Sequence, residues 1–100
     1  KDTFSEVVEM NDIKVVSPKK YKAIIHNDDT TSFEFVIFVL TEVYQKPMDE
    51  AVALTMQTHT QGQSIVKYGL RNYLETLADR AMELANQYGY TEFTITNEIE

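Results

Sequence analysis

The chain has 100 residues, no cysteine and a formal net charge of −7 at pH 7. That length builds one hydrophobic core rather than two, the charge repels nucleic-acid phosphates and anionic lipid, and the missing cysteines exclude a disulfide framework and a thiolate metal site. No apolar run approaches the roughly 20 residues of a membrane span and no basic-then-apolar secretory pattern opens the chain, so the expected setting is cytoplasmic, without membrane or nucleic-acid partners.

In chain order, Lys1 to Ser17 mixes charges of both signs with isolated apolar residues and ends at Ser17-Pro18-Lys19-Lys20. It has no sustained periodicity, and residues 1–19 are expected to be a mobile N-terminal arm. Tyr21 to Ile25, rich in β-branched and aromatic residues, predicts a first strand. The polar run His26 to Ser32 then separates it from Phe35 to Tyr44, which is apolar at helical spacing. Thr31 and Glu34 fit a T-x-x-E capping box, which starts the helix at Ser32. Phe35, Val36, Val39, Leu40 and Val43 mark its buried face.

Gln45-Lys46-Pro47 breaks that helix, and Pro47 with Asp49 and Glu50 is the chemistry of a second start. On the second helix Ala51, Leu54, Thr55 and Thr58 share one strip while Val52, Met56 and His59 share the next. Gln61-Gly62 closes it through a glycine suited to the left-handed conformation. Ser64 to Tyr68 reads as a strand, and Gly69 is expected to turn the chain. Leu70, Tyr73, Leu74, Leu77, Ala81, Leu84, Ala85 and Tyr88 recur at three and four residues, the clearest amphipathic helix present, ending at Gly89. Phe93 and Ile95 alternate with polar neighbours in a last strand, Thr91 to Asn97. The order βααβαβ predicts an α+β fold, a three-stranded antiparallel sheet with three helices on one face, spanning residues 20–98.

The chemistry gathers at Asn27-Asp28-Asp29, an amide and two carboxylates just ahead of a helix start, with little nearby in sequence to neutralise them. Such a cluster suits a cation, although Asn-Asp-Asp is also common turn chemistry and Asp29 fits a loop-shaping role equally well. No nucleophile with its base, His-rich run or phosphate-cradling motif accompanies it, and the two histidines are far apart in sequence and context. Neither an enzyme, a metal site nor a cofactor is expected.

Tyr21-Lys22, Asn27-Asp28-Asp29, Thr31, Glu34-Phe35-Val36, Val39-Leu40, Ala51, His59 and Gln61-Gly62 together resemble the ClpS family in order and spacing, from Tyr21 to about Asn97. That resemblance implies an adaptor that delivers N-degron substrates to a Clp AAA+ protease, holding an N-terminal Phe, Tyr, Trp or Leu. It implies Asn27, Asp28 and His59 as acceptors for the substrate α-amino group. It further implies Thr31, Phe33, Val36, Val39, Thr55 and Thr58 as the side-chain pocket. Many relatives carry Met at the positions of Phe33 and Thr55, so bulk moves from one wall to the other and Thr55 would add a hydroxyl. Docking to the N-terminal domain of the ATPase is implied for Glu75 and Thr76, in a segment that commonly reads Glu-Val-Ala-Glu-Thr-Lys and here reads Asn72 to Leu77. A monomer is expected. The alternative is a domain of the same fold that regulates a Clp ATPase without binding N-degrons.

Overall fold

The structure, a computed structural model, describes residues 18–100 throughout and the backbone of residues 7–10 and 13–16. Strands β1 (Val7–Met10) and β2 (Ile13–Val16) pair antiparallel as a two-stranded ribbon. The expected mobility of the remaining arm lies outside the described residues.

The main unit follows as β3 (Lys20–His26), α1 (Phe33–Glu42), α2 (Met48–Gln61), β4 (Gln63–Leu70), α3 (Arg71–Tyr88) and β5 (Thr94–Ile99). The sheet has order β4-β3-β5 with both pairings antiparallel, so the βααβαβ expectation holds. Strand β3, central and buried at Ala23, Ile24 and Ile25, carries the β-branched run its position requires. A bulge follows it: Ala23 pairs with Lys67 but Ile24 with Ile65, which leaves Val66 unpaired and buried in the core.

All three helices feed one core. Phe35, Val36, Val39 and Leu40 from α1, Ala51 from α2, and Leu74, Ala81, Leu84 and Ala85 from α3 pack with Ala23, Ile25, Val66 and Phe93. Helix α3 runs across all three strands, while α2 meets α1 and β4. Tyr44, just past α1, is fully buried, and its hydroxyl finds no hydrogen-bond partner among the described residues.

Two local expectations are corrected. The N-cap of α1 is Ser32, whose Oγ accepts the Phe35 amide at 3.1 Å, and not Thr31. Thr31 instead donates its hydroxyl to the Asp28 carboxylate at 2.8 Å, because a charged oxygen is the stronger acceptor. Gly69 does not turn the chain: β4 continues through it to Leu70 and α3 starts at once at Arg71. Its missing side chain leaves room for a neighbour, since a Cβ there would stand 3.1 Å from the Tyr73 ring. Gly62 and Gly89 do close α2 and α3 in the left-handed conformation, at φ of 91° and 85°.

Candidate functional site

A small cavity opens where the end of β3, the start of α1 and the end of α2 converge. It is lined by His26, Asn27, Asp28, Thr31, Phe33, Val36, Thr55, Thr58 and His59. The β3–β4 register explains why distant sequence motifs meet there. His26 pairs with Gln63, and the Asn27 amide continues the ladder by donating to the Gly62 carbonyl at 2.9 Å. The Asn-Asp loop is thereby fastened to the turn that ends α2, three residues beyond His59.

Asp28 shapes the loop. Its Oδ1 accepts the Thr30 and Thr31 amides at 2.8 and 2.7 Å and the Thr30 hydroxyl at 3.3 Å, while Oδ2 accepts only the Thr31 hydroxyl. Desolvation by partial burial opposes the charge, but the hydrogen bonds from Thr31 and Thr30 outweigh it and hold the carboxyl below its ordinary value. A carboxylate offers about four lone-pair directions, so Oδ2 keeps acceptor capacity. Asn27 and His59, both exposed, add an amide and an imidazole to the lining. Asp29 is exposed and is not among the lining residues.

The apolar side comes from Phe33, Val36 and, on α2, Thr55 and Thr58. Thr55 and Thr58 are buried, at 2% and 4% exposure. The Thr55 hydroxyl donates to the Ala51 carbonyl at 2.8 Å, and that of Thr58 lies 2.8 Å from the Leu54 carbonyl and 3.0 Å from Ser64 Oγ. The hydroxyl expected to face the pocket from Thr55 is therefore engaged inside its own helix. Phe33 sets its ring edge-on to His59, with centroids 5.0 Å apart at 70°. The enclosed space is about 20 Å³, room for roughly one water molecule.

Of the residues implied for this site, Asn27, Asp28, His59, Thr31, Phe33, Val36, Thr55 and Thr58 come together. Val39 does not join them; it is fully buried in the core. His26 is the lining residue that the sequence reasoning missed. The two histidines, far apart in sequence, line the same cavity, and His26 Nε2 lies 2.8 Å from Thr96 Oγ1 on β5. Its place immediately before Asn27, at the end of a strand, was the available signal. Among the described residues no group of three or more His, Asp or Glu is placed to hold a metal ion. Glu75 and Thr76 lie elsewhere, exposed on the first turns of α3. Glu75 accepts from Arg71 Nε at 2.9 Å, and Thr76 donates to the Asn72 carbonyl.

An amide, a carboxylate and an imidazole thus stand together above a small apolar floor. The description "ATP-dependent Clp protease adaptor protein ClpS" matches residues 16–94. The ClpS adapter of Nautilia profundicola is 30% identical, covering 95% of this chain and 98% of the relative. That of Clostridium acetobutylicum is 36% identical over 90% of this chain and 88% of the relative. In three dimensions the chain is similar to Agrobacterium tumefaciens ClpS2 bound to L-phenylalaninamide, with a TM-score of 0.80 and 34% identity, over 84% of this chain and all of the other. The chain belongs to the ClpS family of Clp protease adaptor proteins.

Proposed function

We propose that the cavity binds the free N-terminal residue of a protein substrate, Phe, Tyr, Trp or Leu, and that the chain, itself without catalytic activity, hands that substrate to a Clp AAA+ protease in the cytoplasm. The observation that carries this is the fastening of Asn27 to Gly62, which sets Asn27, Asp28 and His59 around one small space. A free α-amino group, with a pKa near about 7.7 to 8.0, is mostly protonated at neutral pH and presents three donors. The Asn27 side-chain carbonyl, Asp28 Oδ2 and a ring nitrogen of neutral His59 supply three acceptors. Charge-assisted hydrogen bonds contribute about 1.5 to 3 kcal/mol each, so a blocked amine loses most of the recognition. Removing a large side chain from water beneath them adds about 1.5 to 3 kcal/mol.

A ring or a leucyl side chain needs far more than the space now enclosed, so entry requires Phe33 to leave His59. Phe33 is the first residue of α1 and 40% exposed, and its displacement disturbs little of the core. Similarity to the phenylalaninamide-bound ClpS2 supports the same ligand chemistry here. Residues 20–98 would form the adaptor domain, acting as a monomer. The region of Glu75 and Thr76 would face the ATPase's N-terminal domain.

Titration of labelled peptides beginning with Phe, Leu or Val, each free and N-acetylated, tests the proposal. The expected result is binding of free Phe and Leu peptides alone. Equal binding of free and acetylated peptides would overturn it and leave a domain that acts on the ATPase without reading N-termini.

A further inference from the structure

We propose that a second cleft, between the start of α1 and the end of α3, is a binding site for an organic cation, a guanidinium or alkylammonium group. The cleft measures about 220 Å³ and is lined by Ser32, Glu34, Phe35, Phe38, Tyr88 and Tyr90, none of which lines the amine cavity.

Four aromatic rings form the wall. Phe35 lies 4.7 Å from Tyr90, 5.6 Å from Tyr88 and 6.3 Å from Phe38, and Phe38 lies 5.9 Å from Tyr88, centroid to centroid. These pairs meet at 34° to 47°, so the rings bound a concave surface instead of stacking flat. The wall is anchored from below. Phe35 is a core residue, and Tyr90 is held by its amide on the Ala85 carbonyl at 2.8 Å and by its hydroxyl 3.0 Å from Ser32 Oγ. Tyr88, the last residue of α3, is 55% exposed although it packs against both phenylalanines.

Charge decides the occupant. The faces of aromatic rings carry the negative side of a quadrupole and attract cations within about 6 Å of the centroid. The one ionised group in the lining is the Glu34 carboxylate, exposed and in no ion pair among the described residues. No lysine or arginine lines the cleft, and the chain as a whole carries −7. Anionic ligands meet like charge there, and a purely apolar ligand leaves Glu34 partly desolvated without compensation. A cation with an apolar or delocalised surface satisfies both the rings and the carboxylate.

The test is NMR titration of the full chain, following the Phe38, Tyr88 and Tyr90 ring signals, with Nα-acetyl-arginine amide and tetramethylammonium. The neutral isosteres are Nα-acetyl-citrulline amide and tert-butanol. Saturable shifts with the cations alone are expected. Tyr88→Ala and Glu34→Gln should each weaken binding about fivefold to tenfold, with Tyr88→Phe retaining it and the shifts that a free N-terminal Phe peptide causes at the Asn27 amide unchanged. An N-acetylated peptide with one internal Arg distinguishes the source: affinity well above that of the free amide assigns the site to a polypeptide side chain, and equal affinity to a small cation. Shifts of equal size with the neutral isosteres, or none with either cation, would overturn the proposal.

Discussion

The ring of Phe33 closes edge-on against that of His59, centroids 5.0 Å apart, across a cavity of about 20 Å³. One residue of the apolar wall therefore rests on the imidazole of His59. Once turned away from His59 to admit a ligand, the Phe33 ring is expected to crowd the ligand's Cβ, which excludes a branch there but not a flat ring or Leu. Phe33→Ala is expected to admit peptides with N-terminal Val or Ile while retaining Phe and Leu. Peptide titrations check this; unchanged selectivity with a lowered Tm would assign Phe33 to packing.

The Asp28 carboxylate shapes the loop and, under the proposed function, would also hold the amine; the two roles separate by pH and by substitution. Because its folded-state pKa is lowered, it contributes stability above the unfolded value near 3.8 that is lost as pH falls through the folded one. Urea midpoints of wild type and Asp28→Asn between pH 6 and pH 2 should therefore converge at the acid end. At neutral pH, Asp28→Ala should weaken binding of a free Phe peptide by about tenfold or more, the weight of one charge-assisted hydrogen bond.

Tyr44 carries the opposite sign. Burial raises its pKa far above its ordinary value of 10.0, so the unfolded chain loses that proton first. Its contribution to stability is complete below pH 10 and declines as pH rises beyond it. Tyr44→Phe should remove this alkaline loss. With a buried hydroxyl costing about 1 to 3 kcal/mol when unpaired, it should also raise Tm by several degrees at neutral pH. Thermal melts at pH 7 and pH 10.5 check both, and a lowered Tm at pH 7 would show that the hydroxyl is satisfied.

Docking on α3 should respond weakly to salt. Where the resemblance to the family implies an outer Glu and Lys, this chain has Asn72 and Leu77, and Glu75 between them is tied to Arg71. Charged rim contacts set on-rate and salt dependence, so without them the affinity for the ATPase's N-terminal domain should change little between low and moderate salt. A steep loss over that range, abolished by Asn72→Ala, would contradict this.

What the sequence determined by itself was whatever rests on local chemistry and spacing. Three- and four-residue recurrence placed α3, Gly62 and Gly89 marked helix ends, and the order βααβαβ specified the layer fold. Asn27, Asp28 and His59 were legible as one site because the motif around each survives in order and spacing. Tertiary structure decided what depends on competition between partners. Thr31 has the residue type of a cap, but Asp28, three residues earlier, offers a charged oxygen, so Ser32 caps instead. The hydroxyl of Thr55 looks polar in a string of letters, yet burial turns it to the Ala51 carbonyl. Val39 shares the buried face of α1 with Val36, and only the packing of the core separates the wall residue from the core residue. The ring wall of Phe38, Tyr88 and Tyr90 was not legible at all, and His26 showed only through its place before Asn27. Their neighbours come from strand register and from the approach of α3 to α1, long-range contacts that no local pattern encodes.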